Sequence, residues 1–250
     1  IRFATSSSLG TSDILYVDNV QIEYALPAPT STPSPTSTPT TAPTSTPTPA
    51  PTSTPPPTQT DPDLTTGLLG HWNFDANAND FSGNAYHGTL TNGAVINTTS
   101  ATNKVGAGKV SLDGSDDYVN LSSRVGSFSN LAQGTISAWV YPDGTTTDIV
   151  FEASDSGDSN SRLALIRQGD GSLQFFVREG STTLLDVDTA AGMAPKGAWT
   201  LVTVTVDSSG NKLFVNGTQV PSGSLIYTKG SSMTTSFFDD VTSLDFMAWG

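Results

Sequence analysis

The chain of 250 residues carries 23 acidic against 10 basic side chains, a formal net charge of −13, and no cysteine. That balance lacks the basic footprint of nucleic-acid binding and disfavours anionic membrane surfaces. Thiol nucleophiles, thiolate zinc sites and iron–sulfur chemistry are excluded, and no window reaches the roughly 20 apolar residues of a membrane-spanning helix.

In chain order, the first readable element is the run "ILYVDNVQIEY". Ile14, Tyr16 and Asp18 fall on one side and Leu15, Val17 and Asn19 on the other, the period of two expected of a strand. With the run before its Ser/Gly-rich turn it predicts two strands, too few to stand alone. Residues 1–26 are therefore expected to be the C-terminal strands of an upstream β-sandwich module. Residues 27–62 hold 13 of the 16 prolines among Thr, Ser and Ala. No apolar face can be written on them, so a disordered linker is expected. Polyproline II at ~3.1 Å per residue would let it reach roughly 100 Å. Its Thr and Ser density suits O-glycosylation, with an unmodified linker as the other reading. Such stalks space modules outside cells, which predicts a secreted or cell-surface protein.

Residues 63–250 read as short strands divided by Gly-rich turns. The runs are "LLGHWNF", "KVSLDG", "DYVNLS", "TISAWVYP", "DIVFEA", "RLALIRQ", "SLQFFVRE", "TTLLDV", "WTLVTVTVD", "KLFVNG" and "SLDFMAW". Val202, Val204 and Val206 alternate with Thr203 and Thr205, a half-buried strand. Ser209-Gly210 and Asn216-Gly217 make this region a meander. No stretch sustains helical periodicity. The fold class is all-β, an antiparallel two-sheet sandwich, and the chain's stop after "LDFMAW" predicts that it is C-terminally truncated.

Four pieces in order carry a resemblance: "GLLGHWNFD" with "DFSGNAYHGTL", "KVSLDGSDDYVNL", "GTISAWVYP", and "GAWTLVTVTVDSSGNKLFVNGTQV". Together they resemble the laminin-G-like branch of the concanavalin A-like lectins and glucanases, a jelly-roll sandwich, over roughly Gly67 to Val220. The resemblance implies a structural calcium site drawing on Asp80, Asn84 and the backbone near Gly88. The same loop, Asp80 to Asn84, is equally read as an Asx-type turn without metal. The run "LYVDNVQIEY" is similar to the last strand of carbohydrate-binding jelly-roll modules, where the aspartate helps hold calcium. That implies Asp18 in the upstream module. Glu152, Asp155 and Asp158 read as a solvated loop before a second cation site, and Asp113, Asp116 and Asp117 as turn formers. Asn97, Asn120 and Asn216 open Asn-x-Ser/Thr triplets to which little follows.

Trp72, Phe74, Trp139 and Trp199 are expected in the core, filling the space between sheets. Glycoside hydrolysis requires two carboxylates facing each other across the sugar. The alternating Glu-x-Asp-x-Glu of the family's glucanases is missing, Glu152 and Glu179 stand alone, and His71 and His87 have no serine-nucleophile motif near them. The expectation is a non-catalytic extracellular module binding a polysaccharide or a glycoprotein glycan. An adhesion or spacer domain is the alternative, and a glycoside hydrolase is third. Outward-facing Tyr86, Tyr141, Phe175, Phe176 or Tyr227 would favour the first.

Overall fold

The computed structural model describes residues 15–23, 67–98, 103–156 and 160–250. The strand expected before Ile14, the linker at 27–62 and Asp158 lie outside the described residues. Among the described residues sixteen strands run in chain order, the first six being β1 (Leu15–Glu23), β2 (Leu68–Trp72), β3 (Thr89–Thr91), β4 (Val95–Ile96), β5 (Val110–Leu112) and β6 (Tyr118–Asn120). Next come β7 (Gly134–Pro142), β8 (Asp148–Ser154), β9 (Arg162–Arg167), β10 (Leu173–Glu179) and β11 (Thr182–Thr189). The last are β12 (Thr200–Asp207), β13 (Gly210–Val215), β14 (Thr218–Gln219), β15 (Leu225–Lys229) and β16 (Phe246–Trp249).

They form two antiparallel sheets of eight strands. Sheet A has the order β14-β13-β12-β7-β1-β5-β4, with β2 also on β1, and sheet B has β15-β11-β10-β9-β8-β16-β6-β3. The predicted meander is present: β12 pairs β13 with Val204 opposite Leu213, and β13 pairs β14. Asn216 and Gly217 both hold positive φ, 50° and 77°, as a two-residue hairpin that follows the strand twist demands. No helix of the described residues is long and apolar enough to cross a membrane. Three short strands, β3, β4 and β15, escaped the sequence reading. They lie at or near sheet margins and bury little, with Ile226 of β15 59% exposed.

The core fills the space between the sheets. Val202, Val204 and Val206 of β12 and Ile136, Ala138 and Val140 of the neighbouring β7 line it from the sheet A side. At one end Trp72 meets Trp249 with ring centroids 5.8 Å apart, and Phe151 lies 4.5 Å from Trp249. Gly70 is bare because the Trp72 ring lies over it: a Cβ there would come within 2.2 Å of the ring.

The placement of β1 differs from the expectation of a separate upstream module. It is an inner strand of sheet A, bonded to β7 on one side and to β5 and β2 on the other. The physical reason is its apolar face: Leu15, Val17, Val20 and Ile22 are at most 2% exposed. The inward set switches from odd to even numbers midway. Asp18 pairs with Trp139 but Gln21 with Ser137, so one extra residue is accommodated as a bulge at Asn19, whose φ is 47°.

Candidate functional site

The period of two divides the predicted core aromatics. Trp72 and Phe74 are fully buried, but in β7 the inward positions are Ile136, Ala138 and Val140, so Ser137, Trp139 and Tyr141 point outward. Trp139 and Trp199 are half-buried, a correction to the expectation that both fill the core. Register then builds a strip on the outer face of sheet A. Tyr16 of β1 stands opposite Tyr141, with centroids 5.8 Å apart, and Tyr141 lies 5.6 Å from Trp199. Lys104 Nζ sits 4.2 Å from the Trp139 ring centre and Lys109 Nζ 4.3 Å from that of Tyr16. Beside them Ser137 and Thr203 share a hydrogen bond of 2.8 Å. Lys109 is itself buried at 2% exposure, so tilted rings bordered by hydroxyls and the Lys104 ammonium make the mixed apolar and polar surface that a sugar face requires.

Sheet B has a different outer face. Across it, Glu152 pairs with Ala164, Ala164 with Phe176, and Phe176 with Asp186. Glu152 bonds Arg162 at 3.0 Å; burial raises its pKa, against the lowering by the Arg162 charge. Gln168 Nε2 donates to Gln174 (2.9 Å), Gln174 Nε2 to Asp186 (2.7 Å) and Thr228 Oγ1 to Asp186 (2.6 Å). Three strand steps separate Glu152 from Asp186, about 14 Å at ~4.8 Å per step, beyond the span of a glycosidase pair. Asp186 and Asp188 lie two residues apart on one strand, about 7 Å along it, a separation that leaves room for a water. Burial, then the charges of Asp186 and Asp170, raise the Asp188 pKa. The sequence signal for this pair is the alternation in "LLDVDT", two aspartates of one parity with no glutamate among them.

Of the other discriminating aromatics, Phe175 is fully buried and Phe176 is half-buried on the outer side of β10. Tyr86 packs on Phe128 at 5.5 Å, and the Tyr227 hydroxyl donates to Asn211 Oδ1 at 2.9 Å.

The predicted metal residues are organised by the protein itself. Asp80 Oδ1 accepts from the amides of His71 (2.9 Å) and Ser82 (2.8 Å), and Oδ2 from Ser82 Oγ (2.8 Å) and the Tyr86 amide (2.9 Å). Burial alone would raise the Asp80 pKa, but these bonds together lower it. Four donors organise the carboxylate as an Asx-type turn does. Asn84 Nδ2 clamps the loop to the carbonyls of Leu68 and Leu69. Gly88 is bare because a Cβ would come 2.6 Å from Val119 Cγ1. His87 Nδ1 accepts from the Asp80 amide at 3.1 Å, and His71 Nε2 lies 2.6 Å from Asn19 Oδ1.

Asp18 is fully buried. Its Oδ2 accepts from the amides of Val105 (2.9 Å) and Lys104 (3.2 Å), while Oδ1 is buried without a partner. Asp113, Asp116 and Asp117, read as turn formers, bring carboxylate oxygens within 4.8 Å of one another, a set that could hold a metal ion. Three of their oxygens already accept backbone bonds, Asp117 Oδ1 from Gly93 at 2.6 Å, Asp117 Oδ2 from Asp113 at 3.0 Å and Asp113 Oδ1 from Ser115 at 2.8 Å.

Known proteins align with this architecture. Residues 113–238 match the model of the concanavalin A-like lectin/glucanases superfamily. Among solved structures, domain 4 of AbnA, a GH43 extracellular arabinanase from Geobacillus stearothermophilus seen with arabinotriose, is 23% identical. The match covers 72% of this chain and 82% of that one, with a TM-score of 0.50. The CBM40 of the Ruminococcus gnavus IT-sialidase is 18% identical over 54% of this chain and 73% of that one, TM-score 0.43. No curated protein matches the sequence.

Proposed function

The chain belongs to the concanavalin A-like lectin/glucanases superfamily, and we propose from that premise that it is a non-catalytic carbohydrate-binding module of a secreted or cell-surface protein. The observation that carries the reading is the outward strip Tyr16, Tyr141 and Trp199. Three rings in file, beside Ser137 and Thr203 on the same sheet face, suit the stacking of successive sugar rings along a chain. Both nearby ammonium groups already lie over rings, which favours a neutral polysaccharide over an acidic one. The solved arabinanase domain was seen with an arabinose oligomer, which supports the same class of ligand. The Pro/Thr tract supports an extracellular setting in which a tethered module concentrates its protein on a polymer.

Affinity electrophoresis of the full chain against neutral polysaccharides tests this. Retention is expected, weakened roughly tenfold or more by Tyr141→Ala or Trp199→Ala, as for truncated interface anchors. No retention on any glycan would leave the adhesion or spacer reading. Loss in Phe176→Ala alone would move the site to sheet B. Release of soluble sugar, abolished in Asp188→Asn, would make the protein a hydrolase.

The ion suited to the all-oxygen set of Asp113, Asp116 and Asp117 is calcium, a hard cation that takes carboxylate and carbonyl oxygens. A rise in melting temperature with calcium, reversed by chelator and missing in Asp116→Asn, is the expected result. Equal melting with calcium and chelator would remove calcium from the account.

A further inference from the structure

Sheet A is held together by the strand most remote in sequence. Among the described residues, β2 and the β5–β4 pair connect to β7 only through β1. Between Glu23 and Gly67 stand the 43 residues numbered 24 to 66, whereas β12 and β13 are joined by a two-residue turn. We propose that β1 is an exchangeable strand: two copies of the chain trade Leu15–Glu23 and form a dimer in which each slot is filled by its partner.

The slot is specific for this strand. It takes the apolar Leu15, Val17, Val20 and Ile22, gives the Lys104 and Val105 amides to Asp18, and sets His71 against Asn19. A strand from a second copy makes the same contacts, so the interior of the slot does not distinguish self from partner. What distinguishes them is the tether. Closing a longer loop costs only a little more, growing with the logarithm of its length, so the chain's own strand wins in dilute solution. The partner's strand competes once the protein approaches the effective concentration set by the 43 intervening residues, on the order of 1 mM or below. In the exchanged dimer Tyr16 of each ring strip comes from the other chain, a consequence for glycan binding that rests on the carbohydrate reading, whereas the exchange itself does not.

The chain has no cysteine, so one pair of substitutions reports the exchange. Gln21 and Ser137 stand directly opposite each other, at a spacing a disulfide can bridge. Full-length chains carrying Gln21→Cys alone and Ser137→Cys alone, with tags of different size, are unfolded together, refolded at about 10 μM and about 1 mM, and oxidised. Exchange predicts a mixed disulfide, rare in the dilute sample and a major species, at least fivefold more abundant, in the concentrated one. A mixed disulfide equally rare at both concentrations overturns the proposal. The doubly substituted chain separates the two reasons for failure. If it cross-links within itself at every concentration, β1 is seated but never traded; if it forms no cross-link, β1 does not occupy the slot. Neither result bears on glycan retention, which is measured on the unmodified chain.

Discussion

Replacing Trp72 by alanine is expected to lower the unfolding free energy by about 3–5 kcal/mol, as large-to-small changes at buried aromatic sites do. The ring is fully buried, its Nε1 donates to the Tyr86 carbonyl at 2.9 Å, and its edge meets Trp249. Truncation opens a cavity and leaves that carbonyl without its donor, and the bare Gly70 beneath cannot fill the space. Trp199→Ala, at the end of the outer strip, is expected to cost less than about 1 kcal/mol while weakening glycan retention. Urea denaturation of both variants decides the matter. Comparable losses would mean that the two tryptophans do not differ in burial as described.

Asp18→Asn is expected to stabilise the protein at neutral pH. Burial pushes the Asp18 carboxyl up to about 6, against the lowering by the Val105, Lys104 and Asn19 amides and with the charge of Asp75 adding to the rise. A carboxyl whose pKa is higher folded than unfolded binds its proton more tightly in the native state. Its contribution is therefore complete below the unfolded pKa near 4 and is lost as pH rises through about 6. About two pKa units set an upper bound of roughly 3 kcal/mol, which solvent screening reduces. In chelator, the wild-type stability should fall relative to Asp18→Asn by that order between pH 4 and pH 7, then run parallel. Asparagine keeps an acceptor for the two loop amides, so the fold survives the change. A difference between the two proteins that does not vary with pH would show that Asp18 is charged throughout.

Much of the sandwich could be read because alternation, hairpin residues and big rings agree in β7, β12 and β13. Period two alone does not say which parity is inward, and ring size argues for Trp139 as core although Ile136 and Val140 on the same strand claim that side. Trp199 opens the run "WTLVTVTVD" at the parity of Thr203 and Thr205, the polar side of β12. β1 misled in another way: its parity changes at Asn19, and nothing in ten residues reveals which sheet will accept them. The candidate strip was not legible for the same reason, since Tyr16 and Tyr141 meet only through register across strands 125 positions apart. Asp80 was found, but its four donors come from the backbone and hydroxyl of its own loop and from β2, which a motif does not display.

The bulge in β1 also limits what can enter the sheet. An ordinary amphipathic strand keeps one parity from end to end, and in this slot half of its apolar side chains would face water. Slipping by one residue exchanges the faces without repairing the mismatch, because either half is then seated at the expense of the other. The groove left by an undocked β1 would be wide open to hydrogen bonding yet poorly matched to foreign strands. An irregularity of one residue thus acts as a filter against promiscuous aggregation, admitting a strand that carries the same displaced residue at the same place.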